Sequence, residues 1–139
     1  IRKTQTVVTP HAKEFERLFG QSLPDELEAR SKVVSAQAEA SGLTVLLKGP
    51  VDIISDGVRV AHNETHSPAM TVGGTGDVLT GITAGLLAKK VQPFEAACAA
   101  AFINGSAGLE ASKEFGLHIT ASDVANQIAN VMKQFDKLV

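Results

Sequence analysis

The chain has 139 residues, of which 44% are hydrophobic and 20% are charged, and its formal net charge is −2. This composition excludes a disordered chain, and the lack of a basic excess excludes a polybasic surface for nucleic acid. The single cysteine, Cys98, excludes a disulfide framework and suits the cytoplasm. The longest nearly apolar run, residues 96–103, is far shorter than a membrane span, so we expect no membrane partner.

The first third of the chain predicts a short strand followed by two helices. Residues 6–8 are rich in β-branched side chains and predict the strand. Thr9 is expected to cap the next helix, Pro10 to take its first position and Gly20 to end it. A second helix is predicted over residues 22–41, where a glycine follows.

The middle of the chain predicts three strands. The compact apolar run 43–47 has the length of a buried strand. Two further apolar segments, 51–54 and 58–61, flank a turn that contains Gly57, and this arrangement is typical of a β-hairpin.

The last part of the chain predicts three helices after an irregular, polar segment at 62–72. The first helix is predicted at 77–90, and the second begins at Pro93 and includes the alanine-rich stretch 96–101. The third follows a capping box that begins at Thr120. Strands and helices that alternate in this way indicate an α/β domain, with a hairpin beside a parallel sheet.

The glycine-rich turn before residue 77 is the sharpest chemical signal in the sequence. Three glycines surround Thr75 within residues 73–76, and they let the backbone approach a ligand closely. The start of the following helix offers unpaired N–H groups, so Gly74, Thr75 and Gly76 would form an anion hole for a phosphate. Asp77 would then be the base that accepts a proton from a neighbouring substrate hydroxyl. The alternative is a tight turn and a helix cap with no catalytic role.

Three further residues follow predicted strands, and each is either a ligand contact or an ordinary surface residue. Lys48 ends the strand 43–47, at the sheet edge where α/β proteins bind ligands, so it is a candidate phosphate contact. His11 and Glu14 follow the first strand, where they would contact a ligand and a water-bridged metal. In each case the alternative is an ordinary solvated side chain. His62, Glu64 and His66 do not have the spacing of a helical zinc motif.

Four stretches of this chain carry a family resemblance in the family's own order. They are TPHAKEF (9–15), VLLKGPVDIISDG (45–57), SPAMTVGGTGDVLTG (67–81) and NGSAG (104–108). Together they resemble the ribokinase-like superfamily and, within it, the ADP-dependent NAD(P)H-hydrate dehydratases. The chain departs from the family's usual residues at Asp52, at Asn104 and at His66-Ser67.

The resemblance implies a three-layer α/β/α sandwich with a mostly parallel sheet. It implies that 1–139 is the C-terminal part of a ribokinase-like nucleotide-binding catalytic domain. Expressed alone, this part would be poorly folded, with an exposed sheet edge at residues 6–8. The implied reaction is repair of hydrated NADH or NADPH: ADP, or alternatively ATP, phosphorylates the ring hydroxyl, and phosphate then leaves. The implied partners are the hydrate, the nucleotide, other copies of the chain in a homo-oligomer such as a tetramer, and an epimerase domain.

The resemblance also implies a role for each site residue. Asp77 is the catalytic base, and the amides of residues 74–77 hold the transferring phosphoryl group. His11 and Asp77 contact the hydrated nicotinamide, and Glu14 takes part in binding Mg²⁺ through water. The nucleotide contacts are Lys48, Gly49, Pro50, Val51, Asp52 and Gly76. A small-molecule kinase of the same superfamily and a nucleotide-binding module without catalysis remain the alternative functions.

Overall fold

Strands and helices alternate along the chain in the computed structural model, which describes residues 5–137. The predicted domain limits at residues 1 and 139 lie outside this range. The strands are β1 (Val7–Val8), β2 (Thr44–Leu47), β3 (Asp52–Ser55) and β4 (Val60–Asn63). The helices are α1 (Ala12–Phe19), α2 (Leu27–Ser41), α3 (Thr75–Ala88), α4 (Pro93–Phe115) and α5 (Ala121–Met132), with short 3₁₀ turns at Pro68–Met70 and Lys133–Phe135.

The four strands form one mixed sheet in the order β1-β2-β3-β4. β1 and β2 are parallel, whereas β2–β3 and β3–β4 are antiparallel. The prediction of a mostly parallel sheet is therefore wrong for the described residues. Only the short segment 48–51 joins β2 to β3, and a parallel connection needs a crossover of about a dozen residues or more. The predicted hairpin around Gly57 is confirmed, with Ser55 paired to Val60.

Helices cover both faces of the sheet, as an α/β/α arrangement requires. Side chains alternate along β2, so Val45 and Leu47 face one layer while Leu46 faces the other. The first layer holds α1 and α2, whose buried residues include Phe15, Val34 and Ala38. The second layer holds α3 and α4, and its buried residues include Leu79, Ala97, Ala100 and Ala101.

α4 packs closely against its neighbours because small residues line it. A β-carbon on Gly105 would overlap the backbone carbonyl oxygen of Thr65, and one on Gly108 would overlap the side chain of Met70. Val124 and Val131 of α5 are buried against the far part of α4. Segment 65–70 is thereby held against α4, beside the start of α3.

The helix starts differ in part from the predictions. His11, and not Thr9, caps α1: its Nδ1 accepts the N–H of Glu14 (3.2 Å), and the Glu14 carboxylate accepts the N–H of His11 (2.8 Å). α2 begins at Leu27, later than predicted, because the carboxylate of Glu26 accepts two backbone N–H groups there. Within residues 5–137, no helix is long and apolar enough to cross a membrane.

Candidate functional site

The glycine-rich turn, residues 73–76, continues into the first turn of α3. Gly74 is the N-cap, with φ 94° and ψ −14°, a left-handed conformation that L side chains rarely adopt. A β-carbon at Gly74 would also lie 2.8 Å from the β-carbon of Ala121. The N–H groups of Thr75 and Gly76 have no backbone acceptor among the described residues, as expected in the first turn of a helix. These amides are therefore free to bind an anion.

Asp77 lies one residue further into α3, and its side chain is exposed. Its backbone N–H donates to the carbonyl of Gly74 (3.0 Å), so this amide is already used within the helix. The amide of Asp77, which was predicted to be part of the anion hole, is therefore not a free donor. The Asp77 carboxylate itself stands at the helix start, where the helix dipole favours a negative charge.

Lys48 places a positive charge directly over the start of α3. Its Nζ atom lies 3.2 Å from the position that a β-carbon on Gly76 would occupy. The N–H of Lys48 donates to the carbonyl of Pro10 (2.9 Å), which holds the end of β2 beside the end of β1. The Lys48 ammonium group therefore lies close to the first turn of α3, which carries the free amides, and a positive charge beside free helix amides is suited to a phosphate group.

His11 and Glu14 join this cluster from the start of α1. The Glu14 carboxylate lies 3.3 Å from Nε2 of His11 and 3.7 Å from Nζ of Lys48. The hydrogen bond from the His11 N–H, supported by the charge of Lys48, lowers the pKa of Glu14. The predicted substrate, metal and nucleotide residues of the two strand ends are thus in contact with one another.

A second contact brings α3 beside the same strand end. Thr80 and Asp77 are three residues apart, so they lie on one face of α3. The hydroxyl of Thr80 is 3.3 Å from that of Thr9, two residues before His11. This contact places the face that carries Asp77 next to the segment that carries His11.

A cavity of about 150 Å³ lies beside this cluster, between the sheet and α4. Four predicted nucleotide contacts line it, whereas the predicted contacts Pro50 and Val51 are not among its lining residues. His11 and Asp77 also lie outside the cavity wall. The lining residues are Lys48, Gly49, Asp52, Thr65, His66, Met70, Thr75, Gly76, Leu79, Ala101, Asn104 and Gly105.

Asp52 closes the turn between β2 and β3. One carboxylate oxygen accepts the N–H of Gly49 (3.1 Å) and the other accepts Nδ2 of Asn63 (2.9 Å). Burial raises the pKa of Asp52, and these two hydrogen bonds oppose the shift. The carboxylate therefore fixes the backbone beside Lys48.

The predicted site residues do not include the part of the cavity that α4 and segment 65–70 supply. Asn104 is only 8% exposed, and its Nδ2 lies 3.5 Å from the carbonyl of Thr75. The sequence does contain a signal for Asn104, because a single amide side chain inside a buried, alanine-rich helix is costly unless it has polar partners. What the sequence lacked was the distance between α4 and the glycine-rich turn.

The histidines of segment 62–66 take separate positions. Nε2 of His62 lies 2.8 Å from the hydroxyl of Ser31, on α2, while His66 lines the cavity. Among residues 5–137 there is no group of three His, Cys, Asp or Glu side chains that would hold a metal ion. Mg²⁺ commonly keeps several water ligands and takes others from substrate phosphates. The half-exposed Glu14 carboxylate is chemically suited to such an outer position.

Comparison with known proteins identifies relatives over almost the whole chain. The family model described as NAD(P)H-hydrate dehydratase matches residues 1–130. The ADP-dependent (S)-NAD(P)H-hydrate dehydratase of Cenarchaeum symbiosum is 56% identical over 132 residues, which are 95% of this chain and 46% of that relative. The bifunctional NAD(P)H-hydrate repair enzyme Nnr of Pyrobaculum aerophilum is 54% identical over 93% of this chain and 26% of its own.

Solved structures show the same fold. An ADP/ATP-dependent NAD(P)H-hydrate dehydratase from Bacillus subtilis, co-crystallised with ATP and Mg²⁺, superposes with a TM-score of 0.84 at 27% identity. The match covers 94% of this chain and 48% of that structure. A ribokinase-like superfamily protein from Enterococcus faecalis gives a TM-score of 0.79 at 27% identity, over 95% of this chain and 45% of its own. The chain thus spans about half the length of these structures, and less than half of the relatives named above.

Proposed function

Because the chain belongs to the NAD(P)H-hydrate dehydratase family, we propose that it forms the nucleotide-binding and catalytic-loop part of an ADP-dependent NAD(P)H-hydrate dehydratase. The observation that carries this proposal is the position of Lys48 beside Gly76, which brings an ammonium group to the first turn of α3, where the free amides lie. The high identity to a relative named for this activity supports it. In this proposal residues 1–139 are the C-terminal part of a ribokinase-like catalytic domain.

The proposed reaction transfers the β-phosphoryl group of ADP to the hydroxyl of the hydrated nicotinamide ring. Asp77 takes the hydroxyl proton as the oxygen–phosphorus bond forms and AMP leaves. The phosphorylated intermediate then loses inorganic phosphate from one carbon and a proton from its neighbour. Loss of both groups restores the ring double bond of NADH or NADPH.

The chain's own residues have distinct tasks in this scheme. The amides of Thr75 and Gly76 stabilise the negative charge that develops on the transferring phosphoryl group. Lys48 adds a positive charge to the same place, and Asp52 keeps the turn that carries Lys48 and Gly49 in position. Pro50 and Val51 contribute through the backbone of that turn.

The nicotinamide end of the substrate is proposed to contact His11 and Asp77. The hydroxyl contact between Thr9 and Thr80 supports this assignment, because it brings the two parts of the chain together. Mg²⁺ would reduce the charge of the nucleotide phosphates, and Glu14 would hold one of its water ligands. ATP is the proposed alternative to ADP. The proposed partners are other copies of the chain and an epimerase domain.

The test is direct. Full-length protein is mixed with hydrated NADH, ADP and magnesium, and the absorbance of reduced nicotinamide is followed. Recovery of that absorbance together with release of inorganic phosphate is expected. A stable phosphorylated product without phosphate release would instead indicate a small-molecule kinase, and nucleotide binding without any turnover would indicate a module that only binds.

A further inference from the structure

Thr80 occupies a position of α3 where a threonine gives the helix no local benefit. The residue is exposed, so it adds little to the core, and threonine is a poorer helix former than alanine. Its hydroxyl donates to the carbonyl oxygen of Gly76 (3.0 Å), one turn earlier, and a bond of this kind slightly destabilises a helix. What distinguishes Thr80 is a second contact, with the hydroxyl of Thr9 at 3.3 Å.

The direction of this hydroxyl contact follows from the number of protons available. A threonine hydroxyl carries one proton and two lone pairs. The proton of Thr80 is used on Gly76, so Thr80 accepts and the hydroxyl of Thr9 donates. Since His11 caps α1, the side chain of Thr9 is not held at the start of that helix. The hydrogen bonds therefore run in one direction, from Thr9 through Thr80 to the carbonyl of Gly76.

These hydrogen bonds link the two residues that are proposed to contact the hydrate. Thr9 is two residues before His11, and Thr80 is three residues after Asp77, on the same face of α3. Among the residues that the structure describes, no other side-chain hydrogen bond joins α3 to residues 5–11. A shift of α3 against this segment would change the distance between Asp77 and His11.

We propose that Thr80 is a positioning residue: by accepting the Thr9 hydroxyl it fixes the separation of Asp77 and His11, and with it the fit of the hydrated nicotinamide between them. This inference rests on the proposed function, because it takes both residues as contacts of the hydrate. Thr80 itself does not touch the substrate. It acts through the position of α3, and a displacement of about 1 Å can lower a rate about a hundredfold.

The experiment removes the hydroxyl without changing the size of the side chain. Thr80→Val and Thr9→Val are made singly and together in the full-length protein, and Thr80→Ser keeps the hydroxyl. Thr83→Val is the matched control on the same helix. The Thr83 hydroxyl also donates to the carbonyl one turn earlier, that of Leu79 (2.8 Å), but within the described residues it bonds to nothing outside α3.

Three quantities are measured on each protein. Calorimetry gives the affinity for hydrated NADPH in the presence of AMP, which lacks the β-phosphoryl group, so that no reaction follows binding. A second titration gives the affinity for ADP with magnesium. The rate of hydrate conversion is measured with ADP and magnesium at saturating hydrate.

Each single valine variant is expected to bind the hydrate about tenfold more weakly and to convert it about tenfold more slowly, with an ADP affinity within about twofold of the wild type. The double variant should lose no more than either single variant, because both substitutions remove the same bond. Thr80→Ser should recover the wild-type values, and Thr83→Val should keep them.

Three results would overturn the inference. The first is wild-type hydrate affinity and rate in a folded Thr80→Val protein. The second is a pair of losses that add in the double variant, and the third is an equal loss of ADP affinity, which a general disturbance of α3 would produce. Thr9→Val tests the same bond from its other side, so the inference remains testable where Thr80→Val does not fold.

Failure of the proposed function has a different signature. Coupled losses of hydrate affinity in a protein that never converts the hydrate support the inference and contradict the dehydratase. Conversion of the hydrate with additive or absent effects of the two substitutions contradicts only the inference. A wild-type protein that binds no hydrate overturns both.

Discussion

Nζ of Lys48 lies 3.2 Å from the point where Gly76 would carry a β-carbon. The end of a central strand and the first turn of α3 therefore come close together, and a β-carbon on Gly76 would crowd the lysine side chain. This contact joins two motifs that are almost thirty residues apart in the chain. It also supports Lys48, which sequence alone leaves as a possible surface residue, as a member of the proposed anion site.

The first prediction concerns that contact. Gly76→Ala should displace the flexible end of Lys48 and weaken ADP binding by about tenfold, roughly one lost charge-assisted hydrogen bond. The fold should survive, since only the end of a flexible side chain has to move. Gly85→Ala is the matched control on the same helix: its β-carbon meets nothing within 4 Å. Calorimetric titration with ADP should show a loss in the first variant and none in the second.

The second prediction concerns the base. Asp77→Asn should lower the rate of hydrate conversion by about 10²–10⁴-fold, because an amide cannot accept the hydroxyl proton. ADP binding should remain, since the amides of Thr75 and Gly76 are unchanged. Asp25→Asn, at an exposed position outside the site, should keep the wild-type rate. An Asp77→Asn protein with full activity would remove Asp77 from the mechanism.

The third prediction concerns the packing of α4. Gly105→Ala should destabilise the protein by about 1–3 kcal/mol, because the new methyl group overlaps the backbone carbonyl of Thr65 and the backbone must move. Gly81→Ala, in α3 with open space around it, should instead stabilise by about 0.5–1 kcal/mol through helix propensity. Urea unfolding of both variants measures the two changes. Equal free energies of unfolding in the two variants would mean that segment 65–70 can move away from the new methyl group at little cost.

The fourth prediction concerns the hairpin turn, where Asp56 is largely buried. Its carboxylate accepts the N–H groups of Val58 (3.0 Å) and Arg59 (2.8 Å), and the Arg59 guanidinium also donates to it (2.8 Å). Burial acts to raise the pKa of Asp56, but the hydrogen bonds from Arg59 and Val58 outweigh it and hold the pKa far below the usual range. The stabilisation from Asp56 is thus present above the pKa of an unfolded aspartate, about 4, and is lost as pH falls toward the folded value.

Asp56→Asn should therefore lower the free energy of unfolding at pH 7 by about 1–3 kcal/mol. The difference from the wild type should shrink progressively as pH falls below about 4. Denaturant unfolding at several pH values tests this, with Asp25→Asn as the exposed aspartate control. A difference that stays constant with pH would assign the loss to packing and not to charge.

The elements that sequence predicted best are those with a local cause. The hairpin around Gly57 and the capping box at Thr120 depend on residues within a few positions of one another, and both are present. The start of α1 was misplaced because a histidine and a glutamate form the capping box there, a pair outside the usual serine and threonine pattern. The mostly parallel sheet that the resemblance implied was wrong for the described residues, where β1 and β2 pair in parallel but β2–β3 and β3–β4 are antiparallel.

The features of the candidate site also differ in whether their cause is local in the sequence. Sequence alone determined the glycine-rich turn before Asp77, the lysine at a strand end and the family to which such motifs are similar, since each is a short run of residues with a local physical meaning. Only the tertiary structure decided that Lys48 lies over Gly76, that Glu14 contacts Lys48, and that Asn104 reaches the turn from α4. These relationships depend on how closely helices and strands pack. That closeness is set by glycines, such as Gly105, whose effect appears only where another part of the chain comes to meet them.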